Sequence, residues 1–331
     1  MTGVQKKTVS KDEDGTRVDQ WFFRHFPDVP KGHLYKLLRK GQIRVDSKRM
    51  KPGSRLKQGQ IVRVPPLKSD GPSATKKLPV SDRDRTFLKS LVLYEDDDLL
   101  VLNKPSDLAV QGGSGLTQHL DAYLYVFENH DGVVPRLVHR LDKQTSGALI
   151  LARNAPAARA LGKAFKDQKV RKYYWGLTSP APDSSAGEIK APLKKGSGTD
   201  KEHMMVDDKE GKKAVTLFEV IDQASKKFAF VCFWPRTGRT HQIRVHANVV
   251  GAPLIGDSKY GGQQIMHDLL ESDNALKERL YLHARRLICP HPAGQGLIDV
   301  TAPLSDKDKI LWRHLGFDPE FQGDVFEDIE L

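Results

Sequence analysis

Apolar residues recur along this chain in two periods, and the switch between them divides it. Near the N-terminus VDQWFFRHF sets Val18, Phe22 and Phe26 four residues apart, which predicts a short amphipathic helix stopped by Pro27. GHLYKLLRKG follows, with Leu34, Leu37 and Leu38 as a buried stripe and Gly41 as the C-terminal stop of a second helix. QIRVDS and GQIVRVPP then alternate as strands do. PPLKSDGPSATKKLPVSDRD has no apolar period and is rich in Pro, Ser, Gly and charge, the composition of a tether. Beyond it, FLKSLVLYEDDDLLVLNKPSDLAV predicts two strands around an acidic turn, Glu95 to Asp98, expected to be solvated. Short strands alternating with a few helices continue as far as HARRLICPHP. The expected fold class is α+β, in five parts. These are a polar tail (1–14), a small helix–helix–strand domain (15–66), a flexible linker (67–88), a mixed, mainly antiparallel β domain with flanking helices (89–318) and an acidic, solvated C-terminal tail (319–331). Within the larger domain, the polar, Gly-rich stretch 181–213 reads as a peripheral excursion.

Length and charge narrow the partners. A chain of 331 residues, 38% hydrophobic and 29% charged, has room for a catalytic domain with its own core and a small accessory domain. Lys and Arg exceed Asp and Glu by 53 to 42, a net charge of +11 that attracts polyanions. The sharpest asymmetry lies between Lys31 and Arg63, where Asp46 is the single acid against eleven bases. Such a cluster repels itself unless a polyanion neutralises it. Lys36, Arg39, Lys40, Arg44, Lys48 and Arg49 are therefore the candidate contacts to RNA or DNA. A membrane is the weaker partner, because no apolar run approaches the roughly 20 residues of a spanning helix. MTGVQKKTVSKDEDGT lacks the apolar segment of a signal peptide, and Asp12, Glu13 and Asp14 are foreign to a mitochondrial transit peptide. Cys232 and Cys289 form no C-x-x-C pair, so neither a disulfide framework nor a zinc site is expected, and the reducing cytoplasm is the natural home.

Three segments carry chemistry. In LVHRLDKQTSGALILAR an apolar strand, Leu137 to Asp142, meets a turn of small polar residues and a second strand, Ala148 to Ala152. Alternation puts Val138, Arg140 and Asp142 on one face and Leu137, His139 and Leu141 on the other. Thr145, Ser146 and Gly147 offer hydroxyl-to-backbone bonds and a permissive φ that would fix the carboxylate. KVRKYYWGL sends Tyr173 and Tyr174 to opposite faces, so one must point inward. TGRTHQIRVHANVVGAP puts Ile243, Ala247 and Val250 at helical spacing, with Arg244 at the edge of the buried stripe, where a waiting carboxylate could draw it in.

The helix pair and KGQIRVDSKRMKPGSRLKQGQIVRVPP resemble the S4 RNA-binding module over residues 15–66. HRLDKQTSG resembles the active-site signature of RluA-class RNA pseudouridine synthases of the large-ribosomal-subunit type, and TGRTHQIRVH, GDSKYGG and YLHARRLICPHP also resemble that family's segments. The resemblance spans about residues 15–315 and implies the pseudouridine synthase fold. It makes Asp142 the catalytic carboxylate, Arg140 the residue that displaces or replaces the flipped base, Tyr174 rather than Tyr173 the residue that stacks on it, and Leu282 an apolar wall of its pocket; the Tyr174 phenol is also the catalytic candidate for helping to remove the C5 proton. It also implies that Arg244 pairs with Asp142, leaving Arg239 to support phosphate or the motif.

The implied reaction detaches uracil from C1′, rotates it and rejoins it through C5. Nothing is oxidised or transferred elsewhere, so no cofactor and no metal is called for. A carboxylate must stay ionised where water is excluded, and a guanidinium beside it favours the charged form. Both a covalent acylal and a glycal route stay open. The implied partner is structured RNA, large-subunit ribosomal RNA first and transfer RNA second, acted on by a monomer. Two other classes compete. One is a non-catalytic S4-type protein of ribosome assembly; the other is a glycosidase, which would need a second carboxylate that the three segments do not supply.

Overall fold

Alternation does the sorting throughout this chain, and in the larger part it sorts onto both faces of one sheet. The computed structural model describes residues 3–26, 29, 31–67, 79–112, 118–198, 203–261 and 279–327. These fall into two compact units that divide between residues 77 and 78.

The N-terminal unit holds helices α1 (Val18–His25) and α2 (Lys31–Arg39) and strands β1 (Gln5–Thr8), β2 (Arg44–Val45), β3 (Lys48–Arg49) and β4 (Ile61–Val64). The strands form one antiparallel sheet in the order β1-β4-β2-β3. Trp21, Phe22, Leu34, Leu37, Leu38, Ile43 and Val62 form its core, so both helical stripes are buried as their spacing predicts. Pro27, the expected stop of α1, lies outside the described residues.

Residues 5–13 are not a tail. β1 completes the sheet, and buried Glu13 accepts hydrogen bonds from Ser10 N (3.0 Å), Trp21 Nε1 (2.9 Å) and His25 Nε2 (2.6 Å). Burial pushes the Glu13 carboxyl up, but those donors outweigh it and bring the group down to about 2 from an ordinary 4.5. A depressed carboxyl stabilises the fold above its unfolded pKa and loses that contribution as the pH falls through the folded one. Thermal melts should therefore show Glu13→Gln well below wild type near neutrality and the gap closing between about pH 4.5 and pH 2. A gap that does not change with pH would refute the assignment.

The larger unit is built on a ten-stranded sheet. Its strands are β5 (Val92–Glu95), β6 (Leu99–Lys104), β7 (Arg136–Leu137), β8 (Ser146–Ala152), β9 (Arg171–Thr178), β10 (Ala186–Lys190), β13 (Val215–Ala224), β14 (Phe228–Pro235), β15 (Leu282–Pro290) and β16 (Leu297–Thr301). β11 (Leu193–Lys195) and β12 (Met204–Val206) form a separate hairpin. The main order is β10-β13-β14-β9-β15-β8-β6-β5, with β16 beside β15 and β7 beside β8. Every pairing is antiparallel except β15 with β8. Helices α3 (Asp82–Ser90), α4 (Leu120–Tyr123), α5 (Ala155–Lys166), α6 (Gln242–Val249) and α7 (Asp306–His314) flank it.

Strands covered on both faces read as continuous apolar runs, and β8 is one. Its Leu149 and Leu151 join a core with Tyr174, Val231, Phe233 and Leu282, while Ala148, Ile150 and Ala152 join another with Leu161 and Cys289. The second face continues through Tyr173, Trp175, Phe230 and Trp312.

Several expectations need correction. The linker is shorter than its composition suggests: Leu67 is buried in the N-terminal core, and 82–90 is α3. Ser81 Oγ caps α3 by accepting from Asp84 N, and Asp82 and Asp84 suit the positive end of its dipole; residues 68–78 lie outside the described set. The 181–213 excursion is partly core, since β10 edges the main sheet and Ile189 and Ala191 are buried. The acidic turn is solvated at Glu95 and Asp97, as expected, but it is also tied down: Asp96 accepts from Asp98 N, Leu99 N, Tyr94 Oη and His291 Nε2, and Glu95 pairs with Arg153. In the C-terminal segment Asp324 holds Arg286 at 2.6 Å and Phe326 is buried against Tyr173 and Trp234, so the burial of an aromatic overrides the acidic composition. Among the described residues no helix is long and apolar enough to cross a membrane.

Candidate active site

Strands β9, β15 and β8 bring three segments far apart in the chain to one cavity. Tyr174 on β9 pairs with Ala284 on β15, Leu282 with Gly176, and His283 lies in register with Ser146, the first residue of β8. Side chains two apart share a face, so Leu282 and Ala284 join Tyr174 in the same core. The chain enters β8 through the HRLDKQTSG segment, which lies beside them. β8 and β15 run so close that a Cβ on Gly147 would fall 2.3 Å from the Ala284 carbonyl oxygen, and Gly147 has φ +107°. Only glycine meets both demands.

The expected strand from Leu137 to Asp142 is mostly a loop. β7 ends at Leu137, because His139 replaces a ladder partner: its Nε2 accepts the Ile150 N–H at 3.0 Å, and its ring stacks on Phe165. Burial, with Lys172 nearby, pushes this imidazole down to about 3, so it is neutral and serves as a structural pin. The Asp142 carbonyl accepts the Thr145 N–H, closing a turn. Ser146 Oγ bonds to His283 Nδ1 at 2.9 Å rather than to the backbone, which ties the turn to β15.

A cavity of about 460 Å³ opens here, and Asp142, Arg140, Tyr174, Leu282, Arg239 and Arg244 all line it. The six residues singled out in this unit are thus brought together. Among the described residues nothing donates a hydrogen bond to the Asp142 carboxylate, which is partly exposed in the cavity. Arg140 and Arg239 are exposed at the wall, and Arg239 Nε donates to the Lys213 carbonyl at 3.0 Å. Tyr174 is buried; burial and the Asp142 charge push its phenol far above its ordinary range. Tyr173 instead packs edge-on against Trp234 on the other face, as expected of a structural aromatic.

Arg244 is where the sequence reading goes astray. Its Nε and Nη2 donate to Asp257 at 2.8 and 2.6 Å, so its two-pronged partner is Asp257 and not Asp142. Both side chains are almost fully buried, at 2% and 1% exposure. Burial works against the guanidinium's charge, but the bonds to Asp257 and the charges of Asp257 and Asp142 more than restore it. Asp257 also accepts from Lys259 N and Tyr260 N, and the Tyr260 ring lies 5.2 Å from the guanidinium. The carboxylate that draws Arg244 inward sits in GDSKYGG, a segment that carried no residue assignment.

Lys104 was missed altogether. It is 1% exposed, and its Nζ donates to the carbonyls of Pro105 (2.8 Å), Leu108 (2.9 Å) and Lys143 (3.1 Å), while Ser106 Oγ donates to Gln144 O. These bonds clamp the turn directly after Asp142. Burial lowers the amine to about 7, against the pull of Asp107 and Asp142. The one available signal was a lysine ending an otherwise apolar strand, LLVLNK.

Among the described residues this mixed sheet sets the unbonded Asp142 carboxylate in one cavity with a buried tyrosine and a buried arginine, and comparison with known proteins gives the class, a pseudouridine synthase. The human RNA pseudouridylate synthase domain containing 4 has a similar structure, with a TM-score of 0.60 at 26% identity over 70% of this chain and 95% of that one. The chain belongs to the RNA pseudouridylate synthase family, whose pattern matches residues 98–248. It is 37% identical over 310 residues to ribosomal large subunit pseudouridine synthase C of Pasteurella multocida, covering 92% of each chain. It is 36% identical over 308 residues to the protein of that name from Escherichia coli K12, covering 92% of this chain and 94% of the relative.

Proposed function

We propose that this protein isomerises specific uridines in large-subunit ribosomal RNA, with Asp142 acting on C1′ or C2′ of a nucleotide flipped out of the RNA. The observation that carries this reading is the Asp142 carboxylate, without a hydrogen bond from any described residue, in a cavity it shares with Tyr174, Arg140 and Arg244. A flipped uridine costs about a few kcal/mol of stacking, and Arg140, exposed at the wall, is long enough to fill the gap. Tyr174 and Leu282 give the uracil a flat face and an apolar wall. Arg244, charged and held by Asp257, offers a fixed positive field beside Asp142, and Arg239 takes a phosphate at the rim. The curated relatives are named for ribosomal large-subunit RNA, which favours that RNA over transfer RNA.

The N-terminal unit acts as an S4-like RNA contact in the cytoplasm. Lys36, Arg39, Lys40, Arg44, Lys48 and Arg49 are all exposed. Strand register adds a row the sequence does not display: Lys6 pairs with Arg63, Arg63 with Arg44, and Arg44 with Arg49, across four adjacent strands. Like charges directly opposite one another destabilise a sheet, and an RNA backbone relieves them.

A glycosidase would use a second carboxylate as acid. Asp257 stands nearby, but its oxygens are committed to Arg244, Lys259 N and Tyr260 N, so neither is turned to a leaving group in the cavity. The deciding experiment incubates wild type with unmodified large-subunit ribosomal RNA and with transfer RNA, then maps pseudouridine and assays free uracil. Pseudouridine in the ribosomal RNA is expected; conversion confined to transfer RNA moves the substrate, and released uracil makes the protein a hydrolase.

Tyr174 stacks rather than serving as an ionised base, since its phenol stays protonated across the working range. Rate–pH profiles of wild type and Tyr174→Phe should run parallel up to about pH 10, the ordinary tyrosine pKa. A rise near pH 10 present only in wild type would give the phenolate a part in the reaction.

A further inference from the structure

His241 has no role in the account so far, yet with Gln168 it is one of two non-glycine residues of the described cavity wall held in a left-handed backbone. It immediately precedes α6 with φ 51° and ψ 21°, a left-handed backbone that costs a residue other than glycine roughly 1–2 kcal/mol. Such strain at a binding wall points to a side chain that must be aimed. The ring lines the cavity with Asp142, and its Nδ1 lies 2.8 Å from Tyr260 Oη. Tyr260 Oη also accepts the Met204 N–H at 2.8 Å.

The proton positions follow from this network. The phenol takes one hydrogen bond from Met204 and has one proton to give. Donating it to His241 Nδ1 satisfies both groups and leaves the imidazole proton on Nε2. The opposite tautomer would point two donors at one phenol oxygen and leave the phenol proton without an acceptor on a residue only 9% exposed. Burial also holds the imidazole down, with Arg244 and Lys259 adding to it and Asp142 and Asp257 opposing, so the ring is neutral. Among the described residues nothing bonds to Nε2.

We infer that His241 is a further substrate-contacting residue, its Nε2–H donating a hydrogen bond to an oxygen of the flipped nucleotide, and that Tyr260 is the positioning residue that keeps the proton there. This rests on the uridine-isomerising reading above. It also gives the β11–β12 hairpin a task, because Met204 N orients Tyr260, whose ring covers Arg244 and whose hydroxyl aims His241.

The test compares two amides. Asparagine tolerates a left-handed backbone, but its amide reaches only the place of Nδ1; glutamine fits that backbone less well and carries an N–H to the place of Nε2. Single-turnover conversion of large-subunit ribosomal RNA is measured alongside RNA affinity and melting temperature. His241→Asn should lose about 10- to 100-fold in rate with affinity within about twofold, and His241→Gln should recover to within about fivefold of wild type. Nitrogen NMR of the imidazole should show Nε2–H in wild type and a tautomer mixture in Tyr260→Phe. His241→Asn as fast as wild type, or faster than His241→Gln, would reduce the residue to its backbone role, and an Nδ1–H tautomer in wild type would overturn the Tyr260 assignment. A wild type that converts no RNA would overturn the proposed function and this inference with it, whereas an active wild type with an active His241→Asn would overturn this inference alone.

Discussion

Asp142→Asn should abolish pseudouridine formation, by on the order of 10⁴-fold or more, while the protein folds and binds RNA as before. The side chain is partly exposed in the cavity and accepts no hydrogen bond from a described residue, so the amide breaks no network. The turn survives because it is held by main-chain groups: the Asp142 carbonyl, and the Lys143 and Gln144 carbonyls gripped by Lys104 and Ser106. Arg244 keeps Asp257 as its partner, so no buried charge is stranded. What is lost is the nucleophilic or basic oxygen itself, which an amide cannot replace at either C1′ or C2′. Conversion is counted by mapping pseudouridine in treated ribosomal RNA, with filter binding and a thermal melt as controls. Residual conversion above about 1% of wild type, with binding intact, would remove Asp142 from the catalytic role.

Asp257→Asn should cost both stability and rate. The substitution keeps the shape but strands the Arg244 guanidinium at 2% exposure and turns an N–H toward its donors. Breaking one partner of a buried pair costs about 3–5 kcal/mol, or about 10 °C in melting temperature for a unit of this size. The bonds from Lys259 N and Tyr260 N weaken with it, so the turn that carries Tyr260 loosens. With its partner gone, the other carboxylate whose charge acts on Arg244 is Asp142, across the shared cavity. The guanidinium should then swing toward the Asp142 carboxylate and occupy it. The rate at saturating RNA should fall about 10²-fold, as small misplacements near a reacting group do. A variant that melts and reacts like wild type would show that Asp257 neither holds Arg244 nor orients the site. Loss of stability with an unchanged rate in the folded fraction would leave the pair a structural role alone.

Lys104 and Asp257 show why parts of this site are invisible in one dimension. Each acts through a partner set by strand order. Lys104 reaches Lys143 because β6 and β8 are neighbours, and Asp257 reaches Arg244 across the loop that follows α6. A lysine at the end of an apolar strand and an aspartate in a Gly-rich turn are each common, and nothing nearby in the chain marks them as linked. The pairing of Arg244 with Asp142 was what the family resemblance implied. They do share a cavity, but the nearer carboxylate takes the fork.

Local chemistry alone determined a great deal here. The choice of Asp142 within HRLDKQTSG came from the family resemblance, but side-chain alternation assigned Tyr173 and Tyr174 to opposite faces, and helical spacing found α1, α2 and α6. These succeed because period and steric permissiveness are properties of a few adjacent residues. Tertiary structure alone decided that β1 joins the N-terminal sheet and Phe326 a core, that four cations line up across that sheet, and that Asp257 and Tyr260 bond to Arg244 and His241. Those outcomes depend on which strands meet and in what register. That choice minimises the free energy of a whole core, to which polar composition at any one segment contributes too little to decide it.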